Sequence, residues 1–167
     1  MDEFRILGIL VRFRHGVPPF ALTNLRATLG VVPPEHREEI RQIDVVPPSW
    51  MGEDPHYAGG GSGLGYPRLS RLCFDRRYRS GNFPLNLTLL HEIGHVLDRL
   101  HACTASLTPE HRAVIGAIPI PANARTHGPG EHYAIAYQQV MAGGASEAVR
   151  AAVFSSTAFS GVDTGDL

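Results

Sequence analysis

The chain has 167 residues, a hydrophobic fraction of 43% and a formal net charge of −1. This length and composition predict one globular domain over residues 1–167, with a tail at 155–167 that frays. The near-neutral charge argues against a nucleic-acid or membrane-surface partner. No apolar run reaches the roughly 18 residues of a membrane-spanning helix, and the apolar N-terminal segment lacks the cleavage site of a signal peptide.

Short strands and helices alternate in the first half of the chain, where apolar alternation and proline or glycine breaks mark the boundaries. We predict a strand over 4–13, a helix over 21–29 with Gly30 as its C-cap, a helix from Pro34 to Arg41, a strand over 43–46, a Gly-rich loop over 51–65 and a strand over 68–75. The Gly-rich loop serves either as a flap over a substrate cleft or as a flexible connection.

Helices dominate the second half of the chain. The apolar periodicity predicts helices over 85–100, 109–117, 133–141 and 146–154. Pro84 suits the first turn of the first of these helices, with Asn82 or Ser80 as its N-cap. Strands followed by helices predict the α+β class, with a small mixed sheet packed against helices.

The segment from His91 to His95 reads H-E-I-G-H and lies within the helix predicted over 85–100. Because residues four apart share one helix face, both imidazoles would point at the same spot, as two ligands of a metal ion do. Glu92 is then placed to take a proton from a water that the metal activates. The same helix has a wide apolar face, and its polar side chains would need partners when buried. Asp98 follows on the same stripe and is expected to orient a ligand histidine.

A catalytic metal site of this type needs a third protein ligand, for which there are two candidates. His101 has the spacing of the pattern H-E-x-x-H-x-x-G-x-x-H, but Asp98 occupies the glycine position of that pattern. If the helix continues through Asp98, His101 lies about 80° around it from His91 and out of reach. Glu131 follows a Gly-Pro-Gly loop and would project from the first turn of the helix whose apolar stretch is predicted over 133–141. Helix geometry favours Glu131, and His101 is the alternative.

These motifs match the pattern of a known family. Residues 91–98 read H-E-I-G-H-V-L-D, residues 125–126 read R-T, and residues 131–137 read E-H-Y-A-I-A-Y. On these residues the chain resembles the metallopeptidase family that includes the catalytic domain of anthrax lethal factor and the secreted Pro-Pro endopeptidases. His132 replaces the first aromatic residue of the family's glutamate helix. The part that carries the resemblance spans about residues 69–141.

The resemblance implies a zincin-like fold of the gluzincin type and one zinc ion held by His91, His95 and Glu131, with Glu92 as general base. It implies a zinc endopeptidase that acts on a protein or peptide substrate, with proline-containing sites as one possibility. It also implies that the strand beside the active helix, for which 68–75 is the candidate, pairs with extended substrate. We expect a monomer that is secreted or delivered into target cells, as relatives are, or otherwise cytoplasmic.

The chain departs from the family at one position. The family has a tyrosine about seven residues before the ligand glutamate, which stabilises the oxyanion, whereas residues 121–125 here read P-A-N-A-R. Asn123, Arg125 and His127 are the candidate hydrogen-bond donors in its place. Two alternatives therefore stay open: a catalytically silent zincin scaffold that binds a partner, and a metzincin-type protease with His101 as third ligand.

Overall fold

The computed structural model of the chain describes residues 1–52, 54, 56, 58–78, 84–122, 128 and 130–155. Within these residues, five strands form one small mixed sheet and seven α-helices pack with it. The predicted α+β class is therefore confirmed. The predicted caps Ser80 and Asn82, and the predicted tail beyond residue 155, lie outside the described residues.

The sheet has the strand order β1-β2-β3-β5-β4. Its strands are β1 (Asp2–Ile6), β2 (Ile9–Phe13), β3 (Gln42–Val46), β4 (Gly60–Gly61) and β5 (Arg68–Ser70). β1 is antiparallel to β2, the neighbours β2, β3 and β5 are parallel, and β4 is antiparallel to β5. Alternate side chains of β2 are buried, among them Val11 and Phe13, while Arg12 between them is partly exposed. This period of two directs one face of the sheet to the core.

The predicted single strand over 4–13 is wrong, because the chain reverses in the middle of it. Ile6 pairs with Ile9 across a two-residue turn, Leu7 and Gly8, whose φ angles are 48° and 89°. Two consecutive positive φ angles are those of a type I′ turn, whose twist matches that of a hairpin. The glycine at the second turn position adopts its angle without steric cost.

The predictions for residues 51–75, which precede the helix with the H-E-x-x-H motif, also need correction. β5 ends at Ser70, because the Ser70 hydroxyl accepts a hydrogen bond from the Leu72 amide at 3.3 Å and starts a 3₁₀ helix over Arg71–Phe74. The predicted strand over 68–75 is therefore too long. The predicted loop over 51–65, in turn, contains a strand, since Gly60–Gly61 pairs with β5.

The helices lie close to their predicted positions. They are α1 (Ala21–Gly30), α2 (Pro34–Glu38), α3 (Leu87–His101), α4 (Cys103–Ser106), α5 (Pro109–Gly116), α6 (Gly130–Met141) and α7 (Glu147–Phe154), with a further 3₁₀ helix at Pro48–Trp50. α2 ends before the predicted Arg41, because the chain must turn into β3. Gly30 is the last residue of α1 rather than its cap, and α4 was not predicted.

Both ends of α3 are set by identifiable residues. Asn86 is the N-cap, and its side-chain oxygen accepts a hydrogen bond from the Leu89 amide at 3.0 Å. The backbone N–H of Asn86 donates to the Thr28 hydroxyl at 2.7 Å, which ties the start of α3 to α1. Pro84 therefore lies before the cap and not in the first turn. The last helical residue is His101, and the C-cap Ala102 has a left-handed conformation with φ of 50°.

The buried apolar residues of the sheet and helices form one hydrophobic cluster. α3 lies between the sheet and α6, in contact with β4 and β5 on one side and with α6 on the other. Among the described residues, no helix combines the length and apolar character needed to cross a membrane. The fold thus places the helix that carries the H-E-x-x-H motif between two partners that can complete a site.

Candidate metal centre

The crossing of α3 and α6 depends on Gly94, the glycine inside the H-E-x-x-H motif. A Cβ atom at position 94 would lie 2.9 Å from the Ala134 Cα and 3.1 Å from the Tyr137 Cβ. These distances are shorter than van der Waals contact, so a larger residue would force the two helices apart. The close approach brings the first turn of α6, with Glu131, over the face of α3 that carries both histidines.

Three side chains meet at this crossing. His91 Nε2 and His95 Nε2 are 3.1 Å apart, and the two oxygens of Glu131 lie 3.2 Å from His91 Nε2 and 3.1 Å from His95 Nε2. Nitrogen and carboxylate oxygen atoms this close repel one another unless a proton or a cation lies between them. His91, His95 and Glu131 therefore form a group that could hold a metal ion.

Burial gives this group a low-dielectric setting. Glu131 is 5% exposed, and the two histidines are partly buried. Burial lowers the pKa of His95, and Arg99 lowers it further, whereas the charges of Glu131 and Asp98 oppose the shift. His95 is therefore disposed to be neutral, which is the protonation state in which an imidazole binds a metal.

Glu92 lies beside this group on α3 and is 5% exposed. Burial raises the pKa of its carboxyl to about 7, with a smaller upward contribution from the negative charge of Glu131, while the Ser62 hydroxyl and Arg99 partly oppose the shift. A carboxyl with a pKa near neutrality can both take up and release a proton at physiological pH.

The Gly-rich segment covers Glu92 from the side of the sheet. A Cβ atom on Gly60 would lie 2.8 Å from the Glu92 Cγ and 3.1 Å from the Arg68 carbonyl oxygen, so β4 approaches α3 as closely as it does because it has no side chain there. Arg99, further along α3, donates a hydrogen bond to the Ser62 carbonyl oxygen. Neither the approach of Gly60 to Glu92 nor the contact of Arg99 with Ser62 was predicted. The run Gly59-Gly60-Gly61 was the signal for the first of them, since glycine permits close backbone approach.

Asp98 connects the site to the segment that follows α3. One of its carboxylate oxygens accepts a hydrogen bond from the Thr104 amide at 2.6 Å. The other lies 2.8 Å from where a Cβ atom of Gly130 would be, at the start of α6. Asp98 therefore lies close to the first turn of the helix that carries Glu131.

His101 lies away from the three donor atoms. α3 continues through Asp98 to His101 without the turn that would bring this histidine back. His101 Nε2 lies 3.5 Å from a carboxylate oxygen of Glu39, next to α2. The predicted oxyanion candidates Asn123, Arg125 and His127 lie outside the described residues.

Comparison of the chain with protein-family models, with curated proteins and with solved structures gave no match.

Proposed function

We propose that this chain is a zinc-dependent endopeptidase in which His91, His95 and Glu131 hold the metal and Glu92 is the general base. The observation that carries the proposal is the convergence of three donor atoms beside a buried carboxyl whose pKa is raised to about 7. In a tetrahedral zinc site with bonds of about 2.0–2.1 Å, neighbouring donor atoms are about 3.3–3.4 Å apart. The nitrogens of His91 and His95 are 3.1 Å apart, and each lies 3.1–3.2 Å from a different oxygen of Glu131, so these separations are close to that value.

Two imidazoles and one carboxylate are also the donor set of catalytic zinc sites, which leave a fourth position open. When bound, zinc polarises a carbonyl group and lowers the pKa of water. In the proposed reaction Glu92 accepts the proton of the attacking water and delivers it to the nitrogen of the departing amine. Asp98, whose carboxylate lies close to the start of α6, is proposed to support this end of the site.

The sheet bears on the substrate-pairing role predicted for the segment 68–75. β5 lies between β3 and β4 and pairs with both, so both of its edges are used within the chain. Backbone pairing with an extended peptide needs an open strand edge. We therefore do not assign substrate pairing to this segment, and we propose a peptide substrate from the metal ligands and the base alone.

The alternatives make different demands on the site. A metzincin-type centre requires His101 at the metal, whereas His101 lies beside Glu39. A silent zincin scaffold has no need of a proton acceptor, whereas Glu92 is buried against the metal-binding group. Neither alternative accounts for the site as well as the hydrolase does.

Zinc stoichiometry measured by elemental analysis tests the proposal. Wild type, Glu131→Gln and His101→Ala are purified side by side after zinc supplementation. We expect one zinc per chain in wild type and in His101→Ala, and loss of zinc in Glu131→Gln. Absence of zinc from wild type would overturn the proposed function, and loss of zinc in His101→Ala alone would establish the metzincin-type site instead. Zinc-loaded wild type is then assayed on a peptide library that includes proline-containing sequences, where failure to cleave any member would favour the silent scaffold.

A further inference from the structure

A buried polar pair links the short helix α2 to α6, the helix that carries Glu131. His36, from the short helix α2, and Tyr137, from α6, are both fully buried, and His36 Nδ1 lies 2.9 Å from the Tyr137 hydroxyl. The His36 ring stacks on Phe154 of α7, with ring centroids 6.0 Å apart and an interplanar angle of 30°. Burial lowers the pKa of His36 to about 4, so the ring is neutral at pH 7. The imidazole is thus held between α6 and α7 in one orientation.

Tyr137 and Ala134 are the two α6 residues that lie against Gly94 where α6 crosses α3. The Tyr137 Cβ atom would be 3.1 Å from a Cβ on Gly94, the residue that precedes His95. The same helix begins at Gly130 and carries Glu131 in its first turn. A rotation or slide of α6 at Tyr137 would therefore move the Glu131 carboxylate relative to the two imidazoles.

We propose that His36 is a positioning residue for the metal centre, whose hydrogen bond to Tyr137 holds α6 in the register that brings Glu131 to His91 and His95. This inference rests on the proposed function, because it assigns His36 a role toward the metal. His36 does not touch the metal-binding group itself and acts through Tyr137. A residue from a separate helix, distant in the chain from all three ligands, thereby contributes to metal affinity.

Zinc affinity of the whole chain, measured by competition with a chromogenic chelator, tests this role. Tyr137→Phe removes the hydroxyl and keeps both the ring and the Cβ atom that lies against Gly94. Tyr133→Phe is the matched control, because Tyr133 is a buried tyrosine on the same helix whose hydroxyl donates to the Val153 carbonyl oxygen at 3.4 Å. Loss of groups that orient metal ligands lowers metal affinity about 10- to 100-fold, and we expect a loss of about tenfold for Tyr137→Phe and less than about twofold for Tyr133→Phe.

A double-mutant cycle and a rescue separate positioning from a general loss of stability. If His36 acts through Tyr137, the double variant His36→Phe with Tyr137→Phe loses no more zinc affinity than either single variant. His36→Asn, whose amide can hydrogen-bond the tyrosine hydroxyl, is expected to retain zinc affinity within about threefold of wild type. Chemical denaturation of the metal-free variants measures stability separately, and it keeps the test interpretable if His36→Phe folds poorly.

The outcomes distinguish the two proposals. Absence of zinc from wild type overturns the proposed function, and the role of His36 with it. Zinc-binding wild type with equal affinities for Tyr137→Phe and Tyr133→Phe overturns the role of His36 alone. Additive losses in the double-mutant cycle likewise contradict action through Tyr137.

Discussion

Among single residues, Glu92 and Glu131 are two carboxylates of one site with different surroundings. Both are 5% exposed, but Glu131 lies against two imidazole nitrogens at 3.1–3.2 Å, whereas the carboxyl of Glu92 has its pKa raised to about 7 chiefly by burial. The first environment suits a metal ligand and the second a group that exchanges protons. The different surroundings of the two side chains therefore support the different roles proposed for them.

Glu92→Gln should separate metal binding from catalysis. The amide keeps the size of the side chain but cannot accept a proton, so we expect full zinc content and a loss of about 10²- to 10⁴-fold in peptide cleavage. Zinc is measured by elemental analysis and cleavage with a peptide that wild type hydrolyses. Glu39→Gln is the control, since it neutralises a carboxylate beside His101, and it should cleave like wild type. Wild-type cleavage by Glu92→Gln would refute the general-base role.

The relation among His91, Glu92 and His95 could be predicted because the three share one helix and its repeat fixes it. Glu131 could be predicted as a candidate ligand from its place at the start of a second helix. Gly60 and Ser62 were not predicted as neighbours of Glu92, because nothing in their sequence positions indicates that this segment folds back onto α3. The part of the oxyanion prediction that concerns Asn123, Arg125 and His127 stays a prediction.

Between elements, the packing of α3 against α6 determines whether the three side chains that could hold a metal ion come together. The helices approach each other at Gly94, where even one methyl group would meet the Ala134 backbone at 2.9 Å. The glycine of the H-E-x-x-H segment thus has a structural reason of its own, separate from the chemistry of its neighbours.

Gly94→Ala should lower both stability and zinc affinity. The added methyl group must displace backbone, and overpacking of this kind lowers the free energy of unfolding by about 1–3 kcal/mol. Gly30→Ala is the control, because a Cβ there would meet nothing within 4 Å and alanine stabilises helices relative to glycine by about 0.5–1 kcal/mol. Denaturant unfolding and chelator competition measure the two effects. Wild-type values of both for Gly94→Ala would show that the helix crossing does not depend on this glycine.

Helices were predicted more accurately than strands in this chain. The apolar repeat of α3 extends over several turns, and the predicted range 85–100 is close to the observed Leu87–His101. The strands β4 and β5 have two and three residues, too few for a periodic pattern to distinguish strand from loop. Their pairing partners, which are not local in sequence, decide that they are strands.

In the molecule as a whole, His36 couples the pH of the solution to folding. Burial lowers its pKa from the ordinary 6.5 to about 4 in the folded state, so the unfolded state binds more protons between these two values. The stabilisation linked to neutral His36 is therefore fully present above pH 6.5 and is lost as the pH falls toward 4.

The difference between wild type and His36→Phe isolates this effect. As the pH falls from 6.5 to 4, the free energy of unfolding of wild type should decrease by up to about 3 kcal/mol relative to that of the variant. Groups that do not interact with His36, Glu92 among them, contribute equally in both proteins and cancel in the difference. Glu35 and His101 interact with the charge of His36, so their influence is part of the measured effect. Denaturant unfolding of metal-free protein at several pH values measures it. Parallel pH profiles would show that His36 has the same pKa in the folded and unfolded states.

The sequence by itself determined the α+β class, the long helix with two histidines on one face, and a glutamate at the start of a second helix. These features follow from the periods of local structure, which depend on neighbouring residues only. Helix geometry had favoured Glu131 over His101, and the tertiary structure places Glu131 beside the histidines. Tertiary structure alone decided that β4 packs against Glu92 and that His36 reaches Tyr137. Such contacts join residues far apart in the chain, and their distances depend on how closely whole elements pack.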